Sequence, residues 1–514
     1  MKALSAVLCV ILLAALPPHR QGLAAAASCE SLASLPLPHT QITRAQLVPA
    51  GQFAGTPAGI LAPGAPSFRP YNALPAFCRV AATLTPSSDS GIKIEVWMPA
   101  EGWNGKFEAV GNGGWAGQLS LQALATGLAR GYAITTTDTG HATPGAGFAF
   151  NHPEKLTDFA YRAVHEMTVR AKALVRAYYG SAPKASYWVG CSTGGRQGLK
   201  EAQRYPDDYN GIVAAAPANY MTHLLAHGIW VAQAVLKDPG SYIPKEKYPI
   251  LHQAVLEACD ALDGIKDGVL DDPSRCRFDP KTIQCHGDDA PTCLTAPQVE
   301  AARKIYSPAK NPRTGDEIFP GLAPGSEMGW AAGLAAPTPL SIATDYWKFV
   351  VFKKPDWDFK TLDFDKDVAL ADAMDAGDMN ATDPNLKAFV GRGGKLLMYH
   401  GWNDQLIAPQ NSVNYYTSVA KALGGSARVG DSIRLFMMPG ANHCAGGDGP
   451  SNFDALAVME QWMEEKKAPD QIVARRVTNG AVDRTRPLCP YPQVAVYQGA
   501  GDTNKAENFV CKVR

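Results

Sequence analysis

Apolar and polar positions along the chain follow two periods in turn. Strand-like runs occupy Ile92–Met98, Lys106–Val110 and Tyr132–Thr137, the second ending at a glycine loop and the third at Asp138. From about Thr157 to Tyr179 the period becomes helical. Ala160, Ala163, Val164, Met167, Ala171, Leu174, Val175 and Tyr178 recur at three- and four-residue steps, and Gly180 supplies a stop. A strand over Ser186–Val189, a tight turn, a helix ending before Pro206 and a strand over Ile212–Ala215 follow. Strands alternating with helices predict parallel β-α-β units. The alternation lapses from Ala218 to Phe389, where helical patches, four cysteines, Asp-rich loops and many prolines take its place. It resumes at Lys395–Tyr399 and Ile433–Met438. The pattern predicts an α/β core in two parts, 28–217 and 391–514, split by an inserted cap over 218–390. The Pro-, Gly- and Ala-rich stretch from Ser28 to about Pro86 is expected to be irregular and held by Cys29 and Cys78.

The first 27 residues read as an address. Lys2 precedes an apolar run from Ala3 to Leu16, then Pro17-Pro18 and the small residues Ala24–Ala27. That run is too short for a spanning helix, which needs about 20 apolar residues. Cleavage after Ala27 and export, to the periplasm or out of the cell, are expected, with no membrane partner. Eleven cysteines lose Cys9 with the leader, and the even remainder reads as five disulfides. A lipobox reading of Ala26-Ala27-Ser28-Cys29 would consume Cys29 and leave an odd set.

Composition excludes several classes. Over 514 residues, 48 Lys+Arg balance 48 Asp+Glu and 46% of positions are hydrophobic, unlike disordered or collagen-like chains. Zero net charge without a basic block argues against a nucleic-acid partner.

The chemistry concentrates at three strand ends. Gly190-Cys191-Ser192-Thr193-Gly194 places Gly-x-Ser-x-Gly between a strand and a helix, where a sharp turn lifts a serine hydroxyl above the sheet edge. A serine needs a base, and the later strands supply Asp404 in His400-Gly401-Trp402-Asn403-Asp404 and His443 in Asn442-His443-Cys444. The order Ser, Asp, His suits a nucleophile, an orienting acid and a general base. A loop turn former at Asp404 and a satisfied loop imidazole at His443 are the plainer alternatives. Cys191 precedes the serine and Cys444 follows the histidine, so bringing Ser192 to His443 would put those cysteines within disulfide range. A Cys191–Cys444 bond is therefore predicted. Oxyanion donors are expected from the amide of Thr193 and from Gly113 or Gly114, in the loop after Val110.

The same loop has a competing reading. Gly111-x-Gly113-x-x-Ala116 after a strand, with Asp138 ending the next, resembles a dinucleotide-binding fingerprint and would make the protein an oxidoreductase. A non-catalytic binding module that kept the fold is a third class. Within the cap, Cys259-Asp260-Ala261-Leu262-Asp263-Gly264-Ile265-Lys266-Asp267-Gly268-Val269 suits either a calcium ion held by oxygen ligands or a solvated Asp/Gly turn.

The runs GCSTGGRQG, HGWND and NHCAGG, with DALDGIKDGV between them, resemble the tannase and feruloyl esterase family from about Cys29 to Cys511. The resemblance implies an α/β-hydrolase core, a mostly parallel sheet with helices on both faces, carrying a large lid. It implies a triad of Ser192, Asp404 and His443, and a structural Ca²⁺ held by Asp260, Asp263 and Asp267 with main-chain oxygens of Ile265 and Val269. It also implies the pairs Cys29–Cys78, Cys259–Cys276, Cys285–Cys293 and Cys489–Cys511, besides Cys191–Cys444. A feruloyl-type ester is the first-choice substrate, a galloyl ester the second and a terephthalate half-ester the third. The lid aromatics Trp330, Tyr346, Trp347, Phe349 and Phe352 are candidates to line an acyl cleft, or simply core.

Overall fold

A computed structural model describes residues 27–55 and 71–513. The leader, apart from Ala27, lies outside the described residues. Nine strands form one sheet: β1 (Thr40–Val48), β2 (Phe77–Leu84), β3 (Ile92–Pro99), β4 (Lys106–Val110), β5 (Ala133–Thr137), β6 (Ala185–Cys191), β7 (Gly211–Ala215), β10 (Lys395–Gly401) and β11 (Ile433–Met438). Between β7 and β10 lie only the short β8 (Ala309–Lys310) and β9 (Glu317–Phe319), which pair with each other. The sheet order is β1-β2-β3-β5-β4-β6-β7-β10-β11. The pairs β1–β2, β2–β3 and β3–β5 are antiparallel, and every pair from β5 to β11 is parallel.

The parallel strands are almost wholly buried because both faces are covered, and even the three threonines of β5 have no exposed surface. Along β6, β7, β10 and β11 successive side chains enter opposite cores. Trp188, Ile212, Ala214, Leu396, Met398 and Leu435 face the helices 163–179 and 410–422. Tyr187, Val189, Val213, Leu397, Tyr399 and Phe436 face the helices 121–129 and 455–465. The helical period over 157–179 forms a regular helix from Ala163 to Tyr179, preceded by a π turn, and it ends at Gly180 with φ +72°.

The stretch 28–86 departs from expectation: it contains β1 and β2. In β2 every second residue from Cys78 on is buried (Cys78, Val80, Ala82, Leu84), Phe77 is buried as well, and Cys78 is tied to Cys29. Prolines and glycines gather in the connection between the strands, and β1 is a largely exposed edge whose polar residues hide its period.

Residues 218–390 add no strand to the large sheet, and most of their apolar side chains form a further core around Ile229, Trp330, Tyr346 and Trp347, which Trp115, Phe148 and Phe159 join from the first part of the chain. After the 455–465 helix, two hairpins close the chain: β12 (Ile472–Thr478) with β13 (Ala481–Leu488), and β14 (Gln493–Tyr497) with β15 (Phe509–Val513).

Five disulfides join Cys29–Cys78, Cys191–Cys444, Cys259–Cys276, Cys285–Cys293 and Cys489–Cys511. Cys29 is thus committed to a disulfide, which removes the lipobox reading. Among the described residues, no helix is long and apolar enough to cross a membrane.

Candidate active site

β6 passes into the 193–204 helix through Ser192, whose φ of +61° is unusual for a residue with a side chain. The flanking glycines are packing requirements. A Cβ on Gly190 would lie 2.4 Å from the Gly194 carbonyl oxygen, and one on Gly111 would lie 2.5 Å from the Gly194 Cα. The loop after β4 therefore nests directly against the serine turn. The Ser192 amide donates to Ala215 O at 3.0 Å, and the Thr193 hydroxyl donates to Gly114 O at 2.8 Å, so both flanks of the turn are held. The Thr193 amide opens the helix, where N–H groups have no intrahelical acceptor.

β10 and β11 end side by side and cross closely. A Cβ on Gly401 would stand 2.2 Å from Ala441 O, which only glycine tolerates. Trp402 N donates to Met438 O and Asn403 N to Ala441 O, each at 2.9 Å. Within this clamp, His443 Nδ1 donates to Asp404 Oδ2 at 2.7 Å. Asp404 has no exposed surface, and its Oδ1 accepts the amides of Leu406 at 2.8 Å and Ile407 at 2.9 Å. Burial alone would raise its pKa. The His443 charge and the hydrogen bonds from His400 and His443 outweigh burial and hold the carboxyl well below the ordinary range. Since Asp404 only accepts, His443 carries its proton on Nδ1 and leaves Nε2 as the basic nitrogen.

Ser192, Thr193, Gly114 and His443 line one cavity beneath the lid, with about 480 Å³ of empty space including its open mouth. The Cys191–Cys444 bond, with a Cα separation of 5.9 Å, ties the serine turn to the histidine loop. Gly113 is not in the lining, although Gly114 is. The remaining lining is aliphatic, including Met221, Leu224, Leu225, Leu334, Ile342 and Leu406. None of the five lid aromatics is among these residues. Trp330, Tyr346 and Trp347 are buried in the lid core, and Phe349 and Phe352 pack against it. Strand ends and glycine spacing locate the serine turn, but they carry no information about which distant helix roofs it.

His400 went unassigned in the sequence. Its Nε2 donates to Asp404 Oδ2 at 2.9 Å. The four-residue step from His400 to Asp404 was its only visible signal.

The dinucleotide reading fails on geometry. The Asp138 carboxylate is buried and its Oδ1 already accepts the amides of Lys93 at 2.9 Å and Gly140 at 2.8 Å, so it is engaged within the fold. Gly111 is pressed against the serine turn, and the next helix begins only at Leu121. Asn380, which opens an Asn-x-Thr glycosylation sequon with Ala381 and Thr382, is buried, and its side-chain amide donates to Thr222 at 3.0 Å, so the folded chain does not present it to a glycan.

The 260–269 loop turns at Gly264 (φ +96°) and Gly268 (φ +78°). Its carboxylates and main-chain oxygens are the hard donors calcium takes. Asp260 accepts the Asp267 amide at 3.4 Å and the Gly268 amide at 3.1 Å. Asp267 pairs with Arg486 at 2.5 Å and Arg484 at 3.4 Å. The three acids do not form a group whose ligand atoms all lie within 4.8 Å of one another. The donor chemistry fits the ion, while two arginines compete for one of its acids.

The family model for tannase and feruloyl esterase matches residues 78–512. An uncharacterized esterase of Xanthomonas campestris is 38% identical, with 95% of this chain and 91% of that protein covered. A protein of Aspergillus fumigatus named probable feruloyl esterase B-2 is 34% identical, with 94% and 95% covered. The crystal structure of feruloyl esterase B from Aspergillus oryzae superposes with a TM-score of 0.86 at 31% identity, covering 94% of this chain and 99% of that one.

Proposed function

The chain belongs to the tannase and feruloyl esterase family and is a carboxylic ester hydrolase, and from that premise we propose that it works through Ser192, His443 and Asp404 on hydroxycinnamoyl esters of the feruloyl type. The observation that carries the proposal is the 2.7 Å His443–Asp404 bond at a cavity shared with Ser192.

His443 Nε2 removes the Ser192 proton as Oγ attacks the ester carbonyl carbon. The oxyanion rests on the amides of Thr193 and Gly114, where one donor contributes about 10²–10³ in turnover. As the tetrahedral adduct collapses, the C–O bond breaks and Nε2–H protonates the departing alcohol. Water then attacks the acyl-enzyme, gives its proton to Nε2 and releases the acid with Ser192 restored. Asp404 stays ionised throughout and stabilises the imidazolium.

The cavity lining supports the order of substrates. Among the described residues, it offers no hydrogen-bonding side chain apart from Ser192, Thr193 and His443, and no lysine or arginine. The free carboxylate of a terephthalate half-ester would be buried unpaired, and galloyl hydroxyls would lack partners, both at a cost. A methoxylated cinnamoyl ring places more apolar surface against these aliphatic walls. A panel of methyl ferulate, methyl gallate, chlorogenate and the terephthalate half-ester tests this: ferulate should have the highest kcat/KM, and a half-ester or gallate in first place refutes the assignment.

Export is part of the proposal, because all ten cysteines after the leader are paired, a state that oxidising compartments maintain. Calcium would be held by Asp260, Asp263 and Asp267 with the main-chain oxygens of Ile265 and Val269. It would neutralise the acidic loop and take no part in the reaction.

A further inference from the structure

Asp404 receives two imidazoles on one oxygen. His443 Nδ1 and His400 Nε2 both donate to Oδ2, at 2.7 and 2.9 Å, while Oδ1 takes two amides. Only His443 reaches the cavity, and His400 has no exposed surface. His400 Nε2 also lies 3.1 Å from the Ile407 carbonyl oxygen. Both neighbours of that nitrogen are acceptors, so the proton is assigned to Nε2. Nδ1 is then free to accept from the Ser412 hydroxyl at 2.7 Å, which is buried in the first turn of the 410–422 helix. A chain of polar contacts thus runs from Ser412 through His400 and Asp404 to His443, and within the HGWND run only Asp404 has so far been given a role.

We infer that His400 is a positioning residue for ester hydrolysis: its Nε2–H fixes the Asp404 carboxylate toward His443 and draws electron density from the oxygen the two imidazoles share. The inference rests on the triad reading. Two physical effects follow. A carboxylate with one donor fewer on Oδ2 is free to rotate away from His443, which lowers turnover. It is also more basic toward His443, which raises the pH at which that imidazole loses its proton. The titratable groups facing Asp404 are His443, from the loop after β11, and His400, from β10. His443 faces Asp404 and the non-titrating Cys191–Cys444 disulfide, and the 410–422 helix offers His400 only the neutral Ser412 hydroxyl.

The test is the pH profile of kcat/KM for His400→Leu, His400→Gln and Ser412→Ala. His400→Leu should lose about 10- to 100-fold in kcat, as expected for a hydrogen bond to a charged group, and its acid limb should move to higher pH. His400→Gln retains an N–H donor at the Nε2 position and should recover most of the rate with an acid limb near wild type. Ser412→Ala should lose only a few-fold. A purely structural residue would alter thermal stability without moving the limb. His400→Leu with wild-type rate and limb overturns the inference, as does His400→Gln no better than His400→Leu. If His400→Leu does not fold, a displaced limb in His400→Gln overturns it and a wild-type limb supports it. Asp404→Asn separates the two readings. Full activity there removes the triad itself, whereas an inactive Asp404→Asn beside an unaffected His400→Leu removes only the role of His400.

Discussion

Two loops of this molecule carry carboxylates beside a disulfide, and they are built in opposite ways. The site around Ser192 gathers residues from three strand ends and is closed by a disulfide spanning 253 residues. The acidic loop over 260–269 draws its donors from ten consecutive positions, next to a disulfide spanning 17. In the first, Asp404 is buried and meets four donors, two of them imidazoles. In the second, Asp267 meets two arginines of β13, and the acids stay apart. The contrast teaches that closeness in sequence does not assemble a site; backbone clamps do. At the strand ends, Gly401 and Gly190 let main chains approach to contact, so side-chain positions are fixed by hydrogen-bonded backbone. The acidic loop is held instead by side chains: Asp260 accepts the Asp267 and Gly268 amides, and Arg484 and Arg486 reach Asp267.

The two regions also touch. A Cβ on Gly440, three residues before His443, would come within 3.0 Å of the Val269 side chain, and Leu270 packs in the small core of Cys259 and Cys276.

The largest expected effect breaks the strand-end site outright. Ser192→Ala should lower kcat by about 10⁵–10⁶ while leaving circular dichroism and melting temperature near wild type. Retained turnover would dismiss the serine mechanism. Next, Cys191→Ser with Cys444→Ser removes the long-range tie. A stability loss of about 2–5 kcal/mol in urea unfolding is expected, together with reduced kcat as the histidine loop loosens. An unchanged kcat would show that the backbone clamp suffices alone.

Acid titration sharpens the contrast in charge. Burial would raise the Asp404 pKa, but His443 and His400 hold it below its unfolded value, so its contribution to stability is present above about pH 4 and lost as the pH falls toward the lowered folded value. Unfolding free energy measured from pH 6 down to pH 2 should fall less steeply in Asp404→Asn than in wild type. Equal slopes would mean that the carboxylate is not held ionised. The smallest effect is chelation. Stripping calcium should lower the melting temperature by a few degrees, and adding it back should restore it. Asp260→Asn should abolish that response without lowering kcat more than a few-fold. A melting curve indifferent to chelator would leave the loop as a turn held by arginines.

The sequence by itself determined the parts governed by local rules. The strands and helices around the serine are legible because strand and helix periods differ, and the Gly-x-Ser-x-Gly turn because only glycines fit its contacts. Paired Cys-Ser and His-Cys dipeptides even announced one long-range bond. Tertiary structure alone decided the rest. The strands β1 and β2 were hidden because an edge exposes its polar residues and the connection between them dominates the local composition. The aliphatic cavity emerged because the lid turns its large aromatics inward to its own core and presents Met221, Leu224 and Leu225 of one helix to the serine. His400 acquires its place from a carboxylate that folds back beneath it, a relation set by how β10 ends against β11. Periodicity reports which face of an element is apolar. Which partner that face meets depends on contacts between residues far apart in the chain, and no local pattern encodes them.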